Sequence, residues 1–288
     1  MRIVRTVAGV RARVAEARRA GARVGLVPTM GAFHAGHEAL MRTARERCDL
    51  VVVSLFVNPT QFNEAADLDA YPRTESSDAA IAERLGVDVL FAPSVLEIYP
   101  AGFATQIAVG GLSTVLEGAE RGPGHFAGVC TVVCKLFNIV GPDVAFFGQK
   151  DAQQVVVIAR MVRDLDIPVA LHVVPTVRDP DGLALSSRNA RLGPEDRERA
   201  LSLYRGLEAS RALAAAGERD AAALRAAAAE ALRRGGVEPE YLALVDPDTL
   251  EPVETVSQRV LLAVAARVGP ARLIDNVLID PSQVATPA

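Results

Sequence analysis

The stretch Val24-Gly-Leu-Val-Pro-Thr-Met-Gly-Ala-Phe-His34-Ala-Gly-His37 joins a short apolar run to a turn that contains glycines and two histidines. Residues 24–27 form the apolar run and predict a buried strand. From about Gly36 to Arg47, apolar side chains recur at helical spacing and predict a helix. A strand, a glycine-bearing turn and a helix in immediate succession are typical of an α/β protein.

The same succession of strand and helix continues through the first half of the chain. Apolar runs predict strands at residues 50–56, 87–91, 144–147 and 169–174, and helical patterns predict helices at residues 76–85, 129–139 and 152–163. The arginine-rich first two dozen residues predict an N-terminal helix rather than a transit peptide, because Val7, Val10 and Val14 recur at helical spacing and serine is absent. Continuous apolar strands separated by helices predict a Rossmann-like parallel sheet, which binds ligands beyond the carboxyl ends of its strands.

A change of pattern follows Asp179-Pro-Asp-Gly182, which is a strong turn signal. Beyond it, one helix is predicted from Pro194, a residue suited to the first helical position, and another at residues 220–234. Short strands are predicted near residues 241–245, 260–265 and 272–279. We therefore expect a Rossmann-like domain at residues 1–178 and a second, smaller α+β domain at residues 179–288.

The composition is that of a globular protein, since 50% of the 288 residues are hydrophobic and 23% are charged. A formal net charge of -4 argues against a protein that coats nucleic acid, and the apolar runs are far too short to cross a bilayer. The three cysteines, Cys48, Cys130 and Cys134, form no CxxC pair, which favours reduced, buried thiols. We therefore expect a cytoplasmic protein without nucleic-acid or membrane partners.

Two of the four histidines, His34 and His37, lie directly after the first predicted strand, where a helix begins. A helix N-terminus presents unpaired N–H groups and the positive end of the helix dipole, so it attracts anions. Gly31 and Gly36 allow the backbone to approach a ligand, and both imidazoles can donate to the oxygens of one phosphate. A single histidine is more often structural, but this pair favours phosphate binding. Its spacing resembles the HxGH motif of the nucleotidyltransferase superfamily.

A second polar cluster, Phe147-Gly148-Gln149-Lys150-Asp151, again separates a predicted strand from a helix. Only two of the 31 basic residues in the chain are lysines, Lys135 and Lys150. Because arginine is the usual cation here, Lys150 indicates a specific role as a compact charge on phosphate, with a solvated loop lysine as the alternative. Asp151 can cap the helix, accept a ribose hydroxyl, or do both.

Two further clusters are polar. Leu185-Ser186-Ser187-Arg188-Asn189 places two hydroxyls and a guanidinium in succession, which can wrap phosphate oxygens in a loop that closes over a nucleotide. This loop resembles a variant of the KMSKS loop of the same superfamily. Asn58, Gln61 and the pair Gln153-Gln154 carry neutral amides that can recognise a small hydroxy acid, or can equally be loop or surface amides. His125 lies in a further polar motif.

These motifs occur together and in this order in the pantoate–β-alanine ligase family, which the chain resembles over essentially its full length. The segments that carry the resemblance are residues 28–37, 57–62, 69–74, 124–126, 147–154, 181–189 and 265–276. The combination is far more specific than any one motif. Glycine-rich GxxxxGK[ST] and GxGxxG loops and a nucleophile elbow are absent from the sequence, which disfavours P-loop and simple dinucleotide-binding interpretations.

The resemblance implies an ATP-dependent ligase that condenses pantoate with β-alanine through a pantoyl-adenylate, releasing AMP and pyrophosphate, in pantothenate and coenzyme A biosynthesis. The residues that it implies for ATP binding are Met30, Gly31, His34, Gly36, His37, Gly148, Gln149, Lys150, Asp151, Val177, Leu185, Ser186, Ser187 and Arg188. Those that it implies for binding the other substrates are Asn58, Gln61, His125 and Gln154. His34, His37, Lys150 and Arg188 would be catalytic, and His37 is the residue usually assigned as proton donor.

The resemblance also implies a cytoplasmic homodimer that uses ATP as a substrate and requires Mg²⁺, to which no ligands are assigned. Residues 1–178 would bind ATP and pantoate, and residues 179–288 would form a lid. Two positions depart from the family pattern: Gln149 replaces a common glutamate, and Arg121-Gly-Pro-Gly124 holds an extra glycine, which leaves the reach of Arg121 open. The alternatives are a nucleotidyltransferase that keeps the nucleotide in its product and a nucleotide-binding regulator without turnover.

Overall fold

The structure is a computed structural model that describes residues 1–62 and 68–282, except for the side chain of Pro123. The chain divides into two compact units. The first comprises Met1–Gln149 and Gln153–Pro175, and the second comprises Lys150–Ala152 and Thr176–Ala288. Residues 283–288, which close the predicted second domain, lie outside the described residues. Each unit is built on a sheet of its own.

The first unit contains a six-stranded parallel sheet. Its strands are β1 (Arg2–Val4), β2 (Val24–Thr29), β3 (Leu50–Leu55), β4 (Val89–Phe91), β5 (Val144–Gly148) and β6 (Ala170–Val174). They lie in the order β1-β4-β3-β2-β5-β6, and every pairing is parallel, which confirms the Rossmann-like sheet. The sequence pattern does not predict β1. This edge strand has three residues, of which two are exposed, so it lacks a continuous apolar run.

The longer helices of this unit lie where the sequence pattern predicts them, whereas the two short helices at Val95–Ile98 and Glu117–Arg121 are not predicted. They are α1 (Val7–Arg19), α2 (Ala35–Arg47), α3 (Glu75–Arg84), α4 (Val95–Ile98), α5 (Glu117–Arg121), α6 (Pro123–Val140) and α7 (Ala152–Asp164). Helix α6 begins earlier than the predicted residues 129–139, because a proline is well suited to the first helical position. In β3, five of six residues are buried, as expected of a parallel strand that is covered on both faces.

Strand register determines where the polar turns of this unit lie. Val24 of β2 pairs with Leu50 of β3, and Thr29 pairs with Leu55, so the two strands end side by side. The histidine-bearing turn follows β2, and the turn that carries Asn58 follows β3. Because parallel strands have their carboxyl ends at the same edge of a sheet, both turns lie where such sheets bind ligands.

The second unit is an α+β fold with an antiparallel sheet. Its long helices are α8 (Pro194–Ala215) and α9 (Ala221–Arg234), and its strands are β7 (Pro239–Val245), β8 (Val260–Val268) and β9 (Ala271–Ile279). The strands lie in the order β7-β8-β9. Leu207 of α8, Leu224 of α9 and Leu262 of β8 are buried in one apolar core, which confirms the smaller α+β fold.

The three cysteines are free thiols. Cys130 is completely buried on α6, and that burial raises its pKa to about 12. Burial also raises the pKa of Cys48. A thiol held in its protonated form is a poor nucleophile, so both residues serve packing. None of the described helices is long and apolar enough to span a bilayer.

Candidate functional site

The turn between β2 and α2 carries the two predicted phosphate-binding histidines. His34 is the N-cap of α2, and its Nδ1 accepts a hydrogen bond from the Gly36 N–H at 3.1 Å. Nδ1 of His37 accepts one from the His34 N–H at 3.3 Å. A neutral imidazole that accepts at Nδ1 carries its proton on Nε2. Both rings, whose centroids are 4.2 Å apart, therefore carry Nε2–H groups of a kind suited to donate to an anion.

Close packing explains the glycine between the two histidines. A Cβ atom at Gly36 would lie 2.9 Å from Cε1 of His34, which is closer than carbon atoms pack. Any larger residue would displace the His34 ring from the helix N-terminus. The HxGH spacing thus has a physical basis in this turn, where the ring itself caps the helix.

A buried carboxylate that the sequence analysis missed holds this turn in place. Asp78, in the first turn of α3, is 1% exposed. Its Oδ2 accepts hydrogen bonds from the Ala32 N–H and the Thr74 hydroxyl, each at 3.0 Å, and its Oδ1 accepts one from the Phe33 N–H at 2.8 Å. Ala32 has a positive φ of 54°, which a residue with a Cβ adopts only when its surroundings impose it. Asp78 therefore fixes the backbone immediately before His34.

Replacing Asp78 by asparagine is expected to loosen this turn. The amide NH₂ would take the place of an oxygen that accepts from a backbone N–H, and one buried donor would lose its partner. We expect a loss of about 1–3 kcal/mol in the free energy of unfolding, measured by urea denaturation. We also expect kcat to fall, because the histidines follow this backbone. A variant that retains full stability and activity would show that Asp78 does not position the turn.

Three side chains contact the predicted substrate residue Gln61. Its Oε1 accepts from Nδ2 of Asn58 at 3.0 Å, and its Nε2 donates to Sδ of Met30 at 3.2 Å. The Gln61 carbonyl lies 2.9 Å from Nδ1 of His125. Asn58 is 1% exposed, and its Oδ1 accepts from the hydroxyl of Tyr99 at 2.8 Å. Gln61 is thus held by contacts from three separate segments of the first unit.

The amide of Asn58 also anchors Gln61 to helix α6. Its Nδ2 donates to the carbonyl of Gly128 at 3.1 Å, and its Oδ1 accepts from the Thr60 hydroxyl at 2.9 Å. The donors and the acceptor of this amide are therefore used within the protein. The geometry favours Asn58 as a residue that orients Gln61, rather than one that contacts a substrate through its own amide.

Gly128 permits the close approach of α6 to the turn that carries Gln61. A Cβ atom at Gly128 would lie 2.4 Å from the Thr60 carbonyl oxygen and 2.8 Å from the Gln61 nitrogen. We expect Gly128→Ala to displace Gln61 and to raise the KM for the small acid that the resemblance implies about tenfold, with a smaller effect on the KM for the nucleotide.

A matched control exists on the same helix, since a Cβ at Gly124 would meet no atom within 4 Å. Gly124→Ala is expected to leave the KM values unchanged. Equal effects of the two substitutions would contradict the steric explanation.

The structure distinguishes the adjacent amides Gln153 and Gln154, which the sequence could not do. Gln153 is buried, and its Nε2 donates to the carbonyls of Leu112 and Val115, each at 2.7 Å. Its Oε1 accepts from the Glu117 N–H at 2.9 Å, so Gln153 holds the segment before α5. Gln154 is half-buried and is the residue of the pair with the exposure that a substrate contact requires.

Arg121 lies at the end of α5. It is followed by the extra glycine that departs from the family pattern. Its Nε donates to Oε2 of Glu117 at 2.9 Å. Glu117 is a buried residue on the same short helix, four positions earlier. The guanidinium is therefore drawn toward its own helix in this structure.

The second unit contains the other phosphate-directed groups. Lys150, Ser186 and Arg188 line one cleft of this unit, together with Asn189 and Asp275. Ser186 is the N-cap of a 3₁₀ turn at Ser187–Arg191, and its Oγ accepts from the Arg188 N–H at 3.2 Å. The ammonium of Lys150 lies 3.7 Å from Oδ1 of Asp151, which partly offsets its charge. The lining also includes Arg272, so three cationic residues and a serine line this cleft, and such groups suit phosphate oxygens.

The predicted site residues thus form two groups, one in each unit. The first unit holds Met30, Gly31, His34, Gly36, His37, Asn58, Gln61, His125, Gly148, Gln149 and Gln154, and the second holds Lys150, Asp151, Val177, Leu185, Ser186, Ser187 and Arg188. Direct contacts join Gln61 to Met30, Asn58 and His125 in the first group. In the second, the Leu185 N–H donates to the Val177 carbonyl at 3.0 Å. Within residues 1–62 and 68–282, no three metal-ligating side chains come together.

Comparison with known proteins identifies what this chain is similar to. A family model described as pantoate-beta-alanine ligase matches residues 2–278. The pantothenate synthetase of Moorella thermoacetica is 53% identical over 97% of this chain and 99% of its own length. The pantothenate synthetase of Rhizorhabdus wittichii is 54% identical, and the match covers 98% of this chain and 100% of the relative.

Solved structures show the same similarity. The crystal structure of pantothenate synthetase from Thermus thermophilus has a TM-score of 0.90 and 49% sequence identity, and the match covers 96% of this chain and 99% of that one. The pantoate-beta-alanine ligase of Francisella tularensis, solved with beta-gamma ATP and beta-alanine, has a TM-score of 0.77 and 36% identity, covering 96% and 97% of the two chains.

Proposed function

The chain belongs to the pantoate–β-alanine ligase family, and we propose that it condenses pantoate with β-alanine, using ATP and releasing AMP and pyrophosphate. The single observation that carries the chemical proposal is the histidine pair at the N-terminus of α2. Its two caps fix both rings as Nε2–H donors beside the positive end of a helix dipole. Such donors suit a reaction in which negative charge develops on phosphate.

The need for ATP follows from the chemistry of the acid. A carboxylate is a poor electrophile, so one of its oxygens attacks the α-phosphorus of ATP, the bond to pyrophosphate breaks, and pantoyl-adenylate forms. Negative charge then builds up on the phosphoryl oxygens and on pyrophosphate. We assign His34, His37, Lys150 and Arg188 to the stabilisation of that charge, because fixed donors and cations act most strongly where charge develops in the transition state.

The second half-reaction joins the two organic substrates. The neutral amine of β-alanine attacks the acyl carbon, the bond from that carbon to the AMP oxygen breaks, and the nitrogen releases a proton as pantothenate forms. We assign Gln61 and Gln154 to pantoate, with Gln61 also close to β-alanine. The Francisella tularensis relative, which was solved with beta-alanine, supports a site for this amine in the family fold. The three-segment support of Gln61 preserves the geometry that the attack requires.

The second unit is proposed to act as a lid during the reaction. An acyl-adenylate hydrolyses if water reaches it, so the segment that carries Ser186, Ser187 and Arg188 would exclude water as well as contact phosphate. The short 3₁₀ turn that Ser186 caps gives this segment a defined conformation. Val177 and Leu185, which are joined by a backbone hydrogen bond, would line the nucleotide side of the same segment.

The Mg²⁺ requirement is part of the proposal, but the described residues do not form a cage for this ion. Mg²⁺ usually binds through substrate phosphates and few protein carboxylates, so we propose that it reaches the enzyme with ATP. We further propose a cytoplasmic homodimer, on the basis of the family resemblance.

The proposed function is tested by measuring free AMP and pyrophosphate with ATP, Mg²⁺, pantoate and β-alanine, omitting each component in turn. We expect AMP formation that requires both organic substrates. Pyrophosphate release without free AMP would instead indicate a nucleotidyltransferase that keeps the nucleotide in its product. ATP binding without any pyrophosphate release would indicate a regulator.

A further inference from the structure

Two adjacent buried residues of β9, Asp275 and Asn276, contact phosphate-directed segments although neither belongs to a predicted phosphate motif. Each is 4% exposed. Asp275 accepts two hydrogen bonds from Arg178, with Nη1 to Oδ2 at 2.6 Å and Nη2 to Oδ1 at 2.9 Å. The amide Nδ2 of Asn276 donates to the carbonyl of Lys150 at 2.9 Å.

Through Arg178, Asp275 reaches the segment that leads to Ser186. Nη1 of Arg178 also donates to the Gly182 carbonyl at 3.1 Å, and Arg178 and Ala184 form an antiparallel bridge. The guanidinium carbon lies 4.7 Å from the centre of the Tyr204 ring, so the cation is held by stacking as well. Burial raises the pKa of Asp275, and the hydrogen bonds and charge of Arg178 oppose that rise.

The side chain of Asn276 donates to the backbone of Lys150, the residue whose ammonium we assign to phosphate. Lys150 lies in a 3₁₀ turn at Gln149–Asp151, and the hydrogen-bond geometry of such turns is poorer than that of an α-helix. A hydrogen bond to the Lys150 carbonyl therefore restricts the direction in which the ammonium group extends. Because successive side chains of a strand point to opposite faces, β9 can hold the Lys150 turn and the Arg178 segment at once.

We propose that Asn276 is a positioning residue that places the Lys150 ammonium for phosphate, while Asp275 and Arg178 place the segment that carries Ser186 and Arg188. The inference rests on the proposed function, since it concerns how the ATP-directed groups of that reaction are aligned. In this role Asn276 acts through the backbone of Lys150, and Asp275 acts through Arg178.

The test compares Asn276→Ala with the wild-type enzyme, after the wild type has been shown to form AMP from both organic substrates. We expect kcat to fall ~10- to 100-fold, because a displacement of about 1 Å at a reacting centre has effects of this size. The KM for pantoate is expected to change less than about twofold. Asn138→Ala is the matched control, because Asn138 is an exposed amide that bonds to a carbonyl of its own helix, and it should leave kcat unchanged.

A double-mutant cycle separates positioning from general destabilisation. If Asn276 acts through Lys150, Asn276→Ala should have little further effect on AMP formation in the Lys150→Ala background. Effects that multiply in the double variant would overturn the proposal, as would an Asn276→Ala enzyme with wild-type kcat. Inactivity of the wild type with both substrates would instead refute the proposed function, so the two failures are distinguishable.

A second variant keeps the test available if Asn276→Ala does not fold. Asn276→Ser keeps a polar side chain at this position, but its hydroxyl is too short to reach the Lys150 carbonyl. Thermal unfolding is measured for each variant, and kcat is compared among those that unfold cooperatively. We expect Asn276→Ser to lose kcat to a similar degree, and full activity of this variant would overturn the proposal.

Discussion

Lys150→Ala is expected to lower the rate of AMP formation about 100-fold, which corresponds to about 3 kcal/mol of transition-state stabilisation. Lys150 lines a cleft of the second unit with Ser186 and Arg188, and its ammonium is a compact charge suited to phosphate. Because that charge matters most as negative charge develops, the loss should appear in kcat more than in the KM for pantoate. Initial rates of AMP and pyrophosphate release over a range of ATP concentrations measure both parameters.

The chain provides a matched control in Lys135, its other lysine. Lys135 lies on helix α6, and its ammonium is 4.6 Å from the centre of the Phe103 ring. We assign this residue no part in catalysis. Lys135→Ala removes the same charge from the protein and should leave kcat unchanged. Similar losses in the two variants would show that net charge, rather than the position of Lys150, matters.

His37→Ala is expected to lower kcat by about 100-fold or more, because it removes two functions at once. The Nε2–H donor is lost, and Nδ1 no longer accepts from the His34 N–H, so the cap of α2 is weakened. His37→Asn is a partial rescue, since a short amide can still accept at the cap while it loses the imidazole donor. An asparagine variant that restores stability but not kcat would separate the two functions, and circular dichroism with kinetics measures both.

His172 is the matched control for this substitution. It lies in β6 with its ring centroid 5.5 Å from that of Phe146, and burial together with Arg47 lowers its pKa. This lowered pKa and the contact with Phe146 indicate that His172 serves packing. His172→Gln should therefore retain kcat. A loss comparable to that of His37→Ala would contradict the assignment of catalysis to the α2 histidines.

The sequence predicted the fold well where apolar periodicity was strong. Strands β2, β3 and β5 are continuous apolar runs because they are covered on both faces. Runs of this kind can be recognised from the sequence alone. Strand β1 was not predicted, because three residues at a sheet edge with two exposed side chains carry no periodic signal. Helix α6 was predicted too short, since its first turn contains glycine and proline, which usually mark loops.

The candidate site was predictable where chemistry is concentrated in a short motif. The HxGH spacing, Lys150 and the segment Ser186-Ser187-Arg188 each attract notice as sequence. The residues that position these motifs do not stand out in the sequence. Asp78 and Asn276 bond to segments that are 45 and 126 positions away along the chain. A lone aspartate at a helix start or a lone asparagine in a strand has many ordinary explanations, and only the fold shows which carbonyl or N–H it meets. The same holds for Asn58, whose amide is fully used by its neighbours.

The fate of the carboxylate oxygen of pantoate tests the adenylate route most directly. Pantoate labelled with ¹⁸O in both carboxyl oxygens is incubated with ATP, Mg²⁺, β-alanine and the enzyme, and the AMP and pyrophosphate are analysed by mass spectrometry. If pantoyl-adenylate forms, one labelled oxygen remains on phosphorus when the amine breaks the bond from the acyl carbon. We expect one ¹⁸O atom in each AMP formed and none in pyrophosphate. AMP without label, or label in an inorganic phosphate product, would contradict it.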